Sequence, residues 1–378
     1  MSQLPITRVL IVGGGIGGLS TAIALGKLGI KTEIAEVKQD WQVYGVGIFQ
    51  PPNALRALNE LNVAKRCLEE GYSFEGMAYC DAEGNRFAEP ESPKIAGYPG
   101  LNVISRKKLH DLLLEEALSY DTTMRMGTTV ESFNHIEQGV SVQLTDGTVQ
   151  TYDLVIGADG ANSRMRDLLF GPIEKSYVGQ AVWRYKLPRL EGVETSILYY
   201  GEKAKAGLVP MSEQEMYLLL TTSEPGNPRM PEDRLHELLL DRIDGFGGQV
   251  AAIKPWITDP DAVVYRPIFD HMLQSPWYEG SVLLIGDAAH CTTPHLGQGA
   301  ALAVEDAVVL AELIKEHEDV HTIMQAFMNR RYDRSRYLLD HSHQLAEWEL
   351  MEWAGTLPEH TDVAAYSYET LKKMNEAI

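Results

Sequence analysis

Cysteine is scarce in this chain: three in 378 residues, Cys67, Cys80 and Cys291, with no C-x-x-C pair. That excludes a disulfide framework and a zinc site of the usual ligand spacing, so no metal is expected. Long apolar runs are missing too. None approaches the roughly 18 residues that cross a bilayer, and no basic leader with a cleavage site precedes residues 7–12, which already read as a strand. Positive charge is also in short supply, with 33 Lys and Arg against 53 Asp and Glu and a formal net charge of −20. Such a chain repels phosphate and anionic lipid, which excludes nucleic acid and membrane as main partners. The acidic residues are spread along the chain rather than gathered in a tail, the pattern of a solvated surface. Repeats and low-complexity tracts are absent. At 44% hydrophobic and 23% charged residues the composition is globular, and the length suits one large domain or two coupled ones. A cytoplasmic location with reduced thiols is the expectation.

What is present has a clear grammar. Arg8-Val-Leu-Ile-Val12 runs into Gly13, Asp153-Leu-Val-Ile156 into Gly157, and Ser281-Val-Leu-Leu-Ile285 into Gly286. Unbroken apolar strands of this length suit a parallel sheet covered on both faces. Ligands of such sheets sit at the carboxyl ends of the strands, where each of these turns would lie. Between about 172 and 268 the pattern changes. Ala181-Val-Trp-Arg-Tyr185, Thr195-Ser-Ile-Leu-Tyr-Tyr200 and Glu215-Met-Tyr-Leu-Leu-Leu220 alternate with turn residues between them, which predicts a second, mostly antiparallel sheet. Residues 299–317 read as a helix, and so does the tail beyond about 341. The expected fold is α/β. A Rossmann-like nucleotide-binding domain takes residues 1–75, 101–171 and 269–345. A mostly antiparallel substrate domain, inserted into it, takes 76–100 and 172–268, and a C-terminal helical segment takes 346–378.

The first motif is Gly13-Gly14-Gly15-Ile16-Gly17-Gly18, which holds G-x-G-x-x-G at Gly13, Gly15 and Gly18. Gly13 permits the tight turn, Gly15 lets the backbone approach a pyrophosphate, and Gly18 lets helix and strand pack closely. The helix N-terminus adds free N–H groups and a positive dipole end. Glu36 closes the next strand, eighteen residues after Gly18, where a carboxylate accepts from ribose hydroxyls. A glycine-rich turn with a surface Glu is the plain alternative; the strand before and the helix after favour the dinucleotide reading. The fingerprint does not separate FAD from NAD. Two later stretches do so jointly: Asp153-Leu-Val-Ile-Gly-Ala-Asp159-Gly160-Ala-Asn-Ser163-Arg-Met-Arg166 and Val282-Leu-Leu-Ile-Gly286-Asp287-Ala-Ala-His290. Each alone is an ordinary turn. In order, at strand ends, on a chain with the first fingerprint, they point to an extended flavin whose ribitol meets an Asp.

On these motifs the sequence, over roughly residues 8–337, resembles the class A flavoprotein monooxygenases, the family of para-hydroxybenzoate hydroxylase. It is most similar to the compact branch that includes urate hydroxylase, 6-hydroxynicotinate 3-monooxygenase and salicylate hydroxylase. The resemblance implies that Glu36 holds the adenosine ribose, Arg106 contacts FAD, and Asp287, after Gly286, binds the ribitol. It implies that Asp159 and Gly160 serve both FAD and NAD(P)H, and that Gly45, Val46 and Gly47 line the isoalloxazine. In Pro294-His295-Leu296-Gly297-Gln298-Gly299-Ala300, Pro294, Gly297 and Gly299 let the backbone pass the flavin ring. There the N–H groups around Gln298 and the following helix start face the N1–C2=O edge, where reduced flavin carries negative charge. No second dinucleotide fingerprint occurs, which fits a family in which NADH or NADPH docks transiently on the flavin domain.

The activity implied by the resemblance is hydroxylation of a small electron-rich aromatic or N-heteroaromatic compound, using FAD, NADH or NADPH, and O2, through a flavin C4a-hydroperoxide. The protein must exclude water, position the ring and help ionise it. His295, beside Pro294, is the candidate base; a packing role is its plain alternative. The urate enzyme has Asp at that place and the hydroxynicotinate enzyme His, which argues against urate. Tyr217 matches a substrate-contacting Tyr in both, with a core aromatic as alternative. Lys205 falls near a substrate-binding Arg of the urate enzyme, although a surface position is the commoner fate of a lysine. Phe49 replaces a pocket His of the hydroxynicotinate enzyme, which puts that substrate in question. His290 reads as structural. Other readings stay open at this point: an epoxidase or oxidase on the same scaffold, a flavin-binding protein without activity, or a simple NAD dehydrogenase. Monomer and homodimer are both compatible with the sequence, as are many rings and positions of attack.

Overall fold

The structure is a computed structural model that describes residues 4–41 and 45–378. Arg8–Val12, Leu154–Gly157 and Val282–Leu284 are almost entirely buried, as apolar runs with no polar alternation must be. They lie side by side in parallel, with Leu10 opposite Val155 and Ile156 opposite Leu283. Lys31–Glu36 and Thr123–Met126 extend this sheet on one side and the short Tyr278–Glu279 strand closes it on the other. Because the three central strands run the same way, the turns after Val12, Gly157 and Leu284 share one edge. Backbone bonds knit that edge: Ala158 N donates to Val12 O at 2.8 Å and Ile285 N to Gly157 O at 3.0 Å. The helices Ile16–Gly26 and Gly299–Glu316 pack on this sheet and on each other.

The expected second sheet is present and has eight strands. Ser176–Pro188, Glu215–Ser223, Ala204–Pro210 and Ser196–Tyr200 pair antiparallel in that order, and Val263–Met272 pairs with the outer side of the first. Met77–Asp81 joins in parallel beside Ser196–Tyr200 and brings Arg86–Ala88 with it. The period of two gives this sheet two unlike faces. One carries Trp183, Leu208, Leu218 and Leu220 and packs on the helices Leu235–Arg242 and Gly248–Ile253. Each large apolar side chain buried there contributes about 1.5–3 kcal/mol, so this face holds the sheet to its helices. The other face carries Arg184, Lys205, Tyr217 and Leu219 and turns toward a small sheet of Tyr72–Phe74, Leu101–Ser105 and Gly47–Gln50. Charged residues do not build a core, so this second face is the one left for a ligand.

The C-terminal region departs from the expected division at 345/346. A single helix, Val320–Trp353, runs through that point unbroken, because no Gly or Pro interrupts residues 320–354. It is tied to Gly299–Glu316 by Arg331, fully buried, which donates to Asp306 Oδ1 at 2.7 Å and to Glu305 Oε2 at 2.9 Å. A last helix, Val363–Met374, folds back on it through Met374, Leu338 and Leu345. Among the described residues no helix is long and apolar enough to cross a membrane, and no His, Cys, Asp and Glu side chains are grouped to hold a metal.

Candidate active site

A cavity of about 300 Å³ opens where the shared edge of the parallel sheet meets the charged face of the eight-stranded one. Its floor is the glycine-rich turn. Gly13 has φ +104°, and a Cβ there would lie 2.5 Å from Ala158 O, so only glycine fits beside the neighbouring strand end. A Cβ on Gly18 would overlap the carbonyl of Gly13. Gly15 faces open space and lines the cavity. Gly13 and Gly18 therefore have steric reasons within the protein itself, and Gly15 leaves the cavity floor open.

The flanking groups support this turn. Glu36, expected on a ribose, has one carboxylate oxygen on Gly14 N and the other on Lys38 N, both at 2.9 Å. Its remaining lone pairs are what a ribose hydroxyl would meet. His110 Nε2 lies 2.9 Å from Gly14 O, a support that no sequence pattern had marked. Asp159 is likewise turned inward: it accepts from Ser163 Oγ at 2.5 Å and Met165 N at 3.0 Å. The carboxylate thus fixes the start of Arg164–Phe170, and it is Gly160 that lines the cavity.

Asp287 behaves differently. It lines the cavity with Gly286, and its carboxylate has no hydrogen-bond donor among the described residues. Burial pushes its pKa up, opposed by the positive charge of Arg106. Arg106 lines the same space, its side chain lying against Gly45 while its N–H donates to Val46 O at 2.8 Å. Burial lowers its pKa and Asp287 works against that. The Gly286–Asp287 turn is held from behind by Asp306, another residue that sequence reading had missed. Asp306 Oδ2 accepts from Gly286 N at 2.9 Å and from His290 Nε2 at 2.7 Å. Burial alone would raise its pKa; His290 and Arg331 hold it down at about 2. His290, buried, is structural, as expected.

The Pro294–Leu296 turn leads through Gly297, at φ +65°, to the helix Gly299–Glu316. Pro294, Gly297 and Gly299 line the cavity. Gln298 does so too, but its amide is occupied by a reciprocal pair of bonds with Asn53, at 2.9 and 3.2 Å. The first-turn N–H groups of this helix have no intrahelical acceptor, and their positive end faces the cavity. A cradle free of Cβ atoms, an unpaired carboxylate, a guanidinium and a helix N-terminus together fit an extended flavin dinucleotide.

Above this floor the wall is aromatic and apolar. Val46, Phe49, Tyr217 and Leu219 form one packed cluster, and Gly47, Phe49, Tyr217 and Leu219 reach the cavity. Burial pushes the Tyr217 phenol pKa up, with Arg184 opposing, so the hydroxyl stays protonated and can donate. Arg184, also missed, lines the cavity beside it.

Two sequence candidates are brought together, but away from the cavity wall. His295 Nδ1 lies 3.0 Å from Thr293 Oγ1, and Nε2 lies 3.2 Å from Glu349 Oε2 on the long C-terminal helix. Its side chain is 3% exposed. A base acting directly on substrate needs a ring nitrogen at the cavity, whereas here both nitrogens are engaged, one of them with Thr293, which itself lines the cavity. Lys205 is not the surface lysine that composition favours: it is half-buried and paired with Glu349 Oε1. Burial opposes the ammonium, but Glu349 outweighs it and the Lys205 pKa is raised. Burial would raise the Glu349 pKa, but Lys205 and then His295 bring it down to about 2. Gln180 completes the cluster, donating to Glu349 Oε2 at 2.7 Å.

Comparison with known proteins adds three kinds of match. The model of a family described as FAD binding domain matches residues 6–342. Among curated proteins, aurachin C monooxygenase/isomerase of Stigmatella aurantiaca is 31% identical, over 90% of this chain and 90% of its own. The 2-heptyl-3-hydroxy-4(1H)-quinolone synthase of Pseudomonas aeruginosa is also 31% identical, again over 90% of each chain. Among solved structures, Klebsiella pneumoniae HpxO complexed with FAD and uric acid superposes with a TM-score of 0.82 at 25% identity, over 97% of this chain and 93% of that one.

Proposed function

The chain belongs to the FAD binding domain family and, within it, to the FAD-dependent monooxygenases, and from that premise we propose that it hydroxylates a small electron-rich aromatic or N-heteroaromatic compound at the expense of NADH or NADPH. One observation carries the reading. A single cavity joins a dinucleotide cradle, with Asp287 and Arg106 both in its lining, to an aromatic wall of Phe49, Tyr217 and Leu219. The relatives support the choice of ring: quinolone and urate are named for two of them, and both are flat heteroaromatics.

FAD, when bound, would supply the redox chemistry, taking hydride from the nicotinamide and reducing O2 so that one oxygen atom enters the ring and the other leaves as water. The residues of this chain have separate tasks. The Gly15 turn and the helix start at Gly299 take the negative charge of the cofactor. Asp287 accepts from the ribitol hydroxyls. Phe49 and Leu219 hold the substrate ring and keep water out. The Tyr217 hydroxyl donates to an oxygen of the substrate. His295, joined to the cavity lining through Thr293, acts as a positioning residue and as an indirect route for the proton of the substrate hydroxyl. The division of residues among a flavin domain, a substrate domain and C-terminal helices is part of this proposal.

The deciding experiment uses labelled oxygen. With FAD-loaded protein, NAD(P)H and a panel of hydroxylated pyridines, quinolones and benzoates, at least one compound should stimulate NAD(P)H oxidation and gain one ¹⁸O atom from ¹⁸O2. Consumption of NAD(P)H that yields only peroxide for every compound would refute hydroxylation.

A further inference from the structure

We propose that Asn53 is a positioning residue for the cofactor: it fixes the side-chain amide of Gln298 so that one N–H hydrogen is held for an electron-rich edge of the bound flavin. The inference rests on the FAD-binding reading above and is independent of which ring is the substrate.

Asn53 lies in the first turn of the helix Pro52–Glu60, just after the strand Gly47–Gln50, and is fully buried. Its Nδ2 donates to Gln298 Oε1 at 2.9 Å and to Glu305 Oε1 at 3.0 Å. Its Oδ1 accepts from Gln298 Nε2 at 3.2 Å. Two amides paired only with each other could both turn over and keep the same bonds. Glu305 forbids that here. Burial would raise its pKa, but Arg331 and then Arg334 hold it down, and an ionised carboxylate only accepts. The Asn53 atom beside it must therefore be the nitrogen. That places the oxygen on the other arm of the amide, and the oxygen in turn requires the nitrogen of Gln298. The charge of Glu305 thus sets, through Asn53, which way an amide at the cavity points.

Asn53 Nδ2 has used both of its hydrogens. Gln298 Nε2 has used one, and its second has no acceptor among the described residues. Gln298 is 1% exposed and lines the cavity. A buried donor left unmatched is costly, so the acceptor comes from what fills the cavity. The surroundings favour the flavin as that acceptor. Gly297 and Gly299, on either side of Gln298, offer no side chain, and the helix Gly299–Glu316 starts there with its unpaired N–H groups. Donors gathered in this way suit a group that gains negative charge, as a flavin does on reduction. The Gln298 hydrogen adds to them, so Asn53 favours the reduced cofactor over the oxidised one. A tie that only packed the two helices together would not distinguish these states.

The test therefore reads the flavin itself, without substrate. FAD affinity is measured by fluorescence titration of apoprotein, and the two-electron potential of the bound flavin by reduction against a reference dye. Asn53→Leu removes the partner of Gln298 while Glu305 keeps Arg331 and Arg334. Its flavin should favour the reduced state about tenfold less than wild type, a fall of about 30 mV for a two-electron couple. Gln298→Leu, which deletes the donor, should show a fall of the same size, and the double variant no more than Gln298→Leu alone. Asn53→Ser keeps a hydroxyl for Glu305 but releases Gln298; it should match Asn53→Leu and serves in its place if the leucine variant does not fold. A wild-type potential in the Asn53 variants, with only the melting temperature lowered, would make Asn53 a packing tie and overturn the proposal, leaving FAD binding and hydroxylation standing. Falls that add in the double variant would overturn it too, because Asn53 would then act by another route than Gln298. A wild-type protein that takes up no FAD would refute the flavoprotein reading and this proposal with it.

Discussion

The Tyr217 ring rests directly on the α-carbon of Gly47, with no room between them for a methyl group. Gly47 lies on the small sheet beside the flavin cradle and Tyr217 on the substrate sheet, so this contact sets the distance between cofactor and substrate walls.

Gly47→Ala should therefore damage activity more than folding. Tyr217 is 1% exposed and its ring cannot swing into solvent, so the two walls must part. Overpacking of this kind costs about 1–3 kcal/mol. The expected result is a lower melting temperature by a few degrees, retained FAD, and a larger fall in coupled hydroxylation, with NAD(P)H oxidation leaking to peroxide. Unchanged coupling would mean that the contact does not set the geometry.

Asp287→Ala should weaken FAD binding by about ten- to a hundredfold, the worth of hydrogen bonds to a charged acceptor. The flavin-free protein should lose nothing, because the variant removes a buried carboxylate whose pKa is already raised. Titration of apoprotein with FAD, followed by fluorescence, measures the first effect, and thermal unfolding of apoprotein the second. Wild-type FAD affinity in this variant would remove Asp287 from the cofactor site.

Much of this architecture was written in local pattern. The strand before Gly13, the glycine spacing and the Gly286–Asp287 turn are each decided by neighbours in sequence, and the structure sets all three at one edge. The alternation around Trp183 and Tyr185 also held an unread sign, since a charged residue between two buried aromatics must face the other way, and that residue is Arg184. Long-range side-chain pairing left no such sign. Lys205 meets Glu349 across 144 residues, and His295 meets it across 54; nothing in either local sequence announces the carboxylate that turns the histidine from the cavity and matches the lysine. The continuity of Val320–Trp353 through 345/346 was legible in its lack of Gly and Pro, but the motifs ended earlier and drew the division with them.

His271 predicts a loss of stability in mild acid. Burial, then the charge of Arg166, holds its pKa at about 4 against an ordinary 6.5, and its Nε2 accepts from Arg166 Nη1 at 3.0 Å. Between pH 6.5 and 4 the unfolded chain binds a proton here that the native state does not. Stability therefore falls as pH drops through that window, by at most roughly 3 kcal/mol. His343 works in the opposite sense, because Asp270 raises its pKa in spite of burial. His271→Gln keeps an acceptor for Arg166 and does not titrate. Urea unfolding at pH 7 and pH 5 should show a smaller difference for this variant than for wild type; an equal difference would exclude His271 as the source.

His295→Ala should leave FAD bound and lower hydroxylation, with the flavin spectrum intact. If the histidine acts through Thr293, Thr293→Val should produce a loss of similar size and the double variant little more than either alone. Independent, multiplying losses in stopped-flow turnover would separate the two residues. A fully active His295→Ala would remove the histidine from the proton route.

The Lys205–Glu349 pair should show the thermodynamics of a partly buried ion pair. Glu349→Gln strands the Lys205 ammonium, and breaking a buried pair on one side costs about 3–5 kcal/mol. Lys205 keeps 23% of its side-chain surface exposed, so a value near or below the lower end is expected. Lys205→Met leaves Glu349 its bonds to His295 and Gln180 and should cost less. In the double variant neither charge is left unmatched, so its loss should be smaller than the sum of the two single losses, with a coupling of about 1–3 kcal/mol. Chemical unfolding of all four proteins, saturated with FAD, measures that cycle. Strictly additive losses would mean that the two side chains do not sense each other in solution.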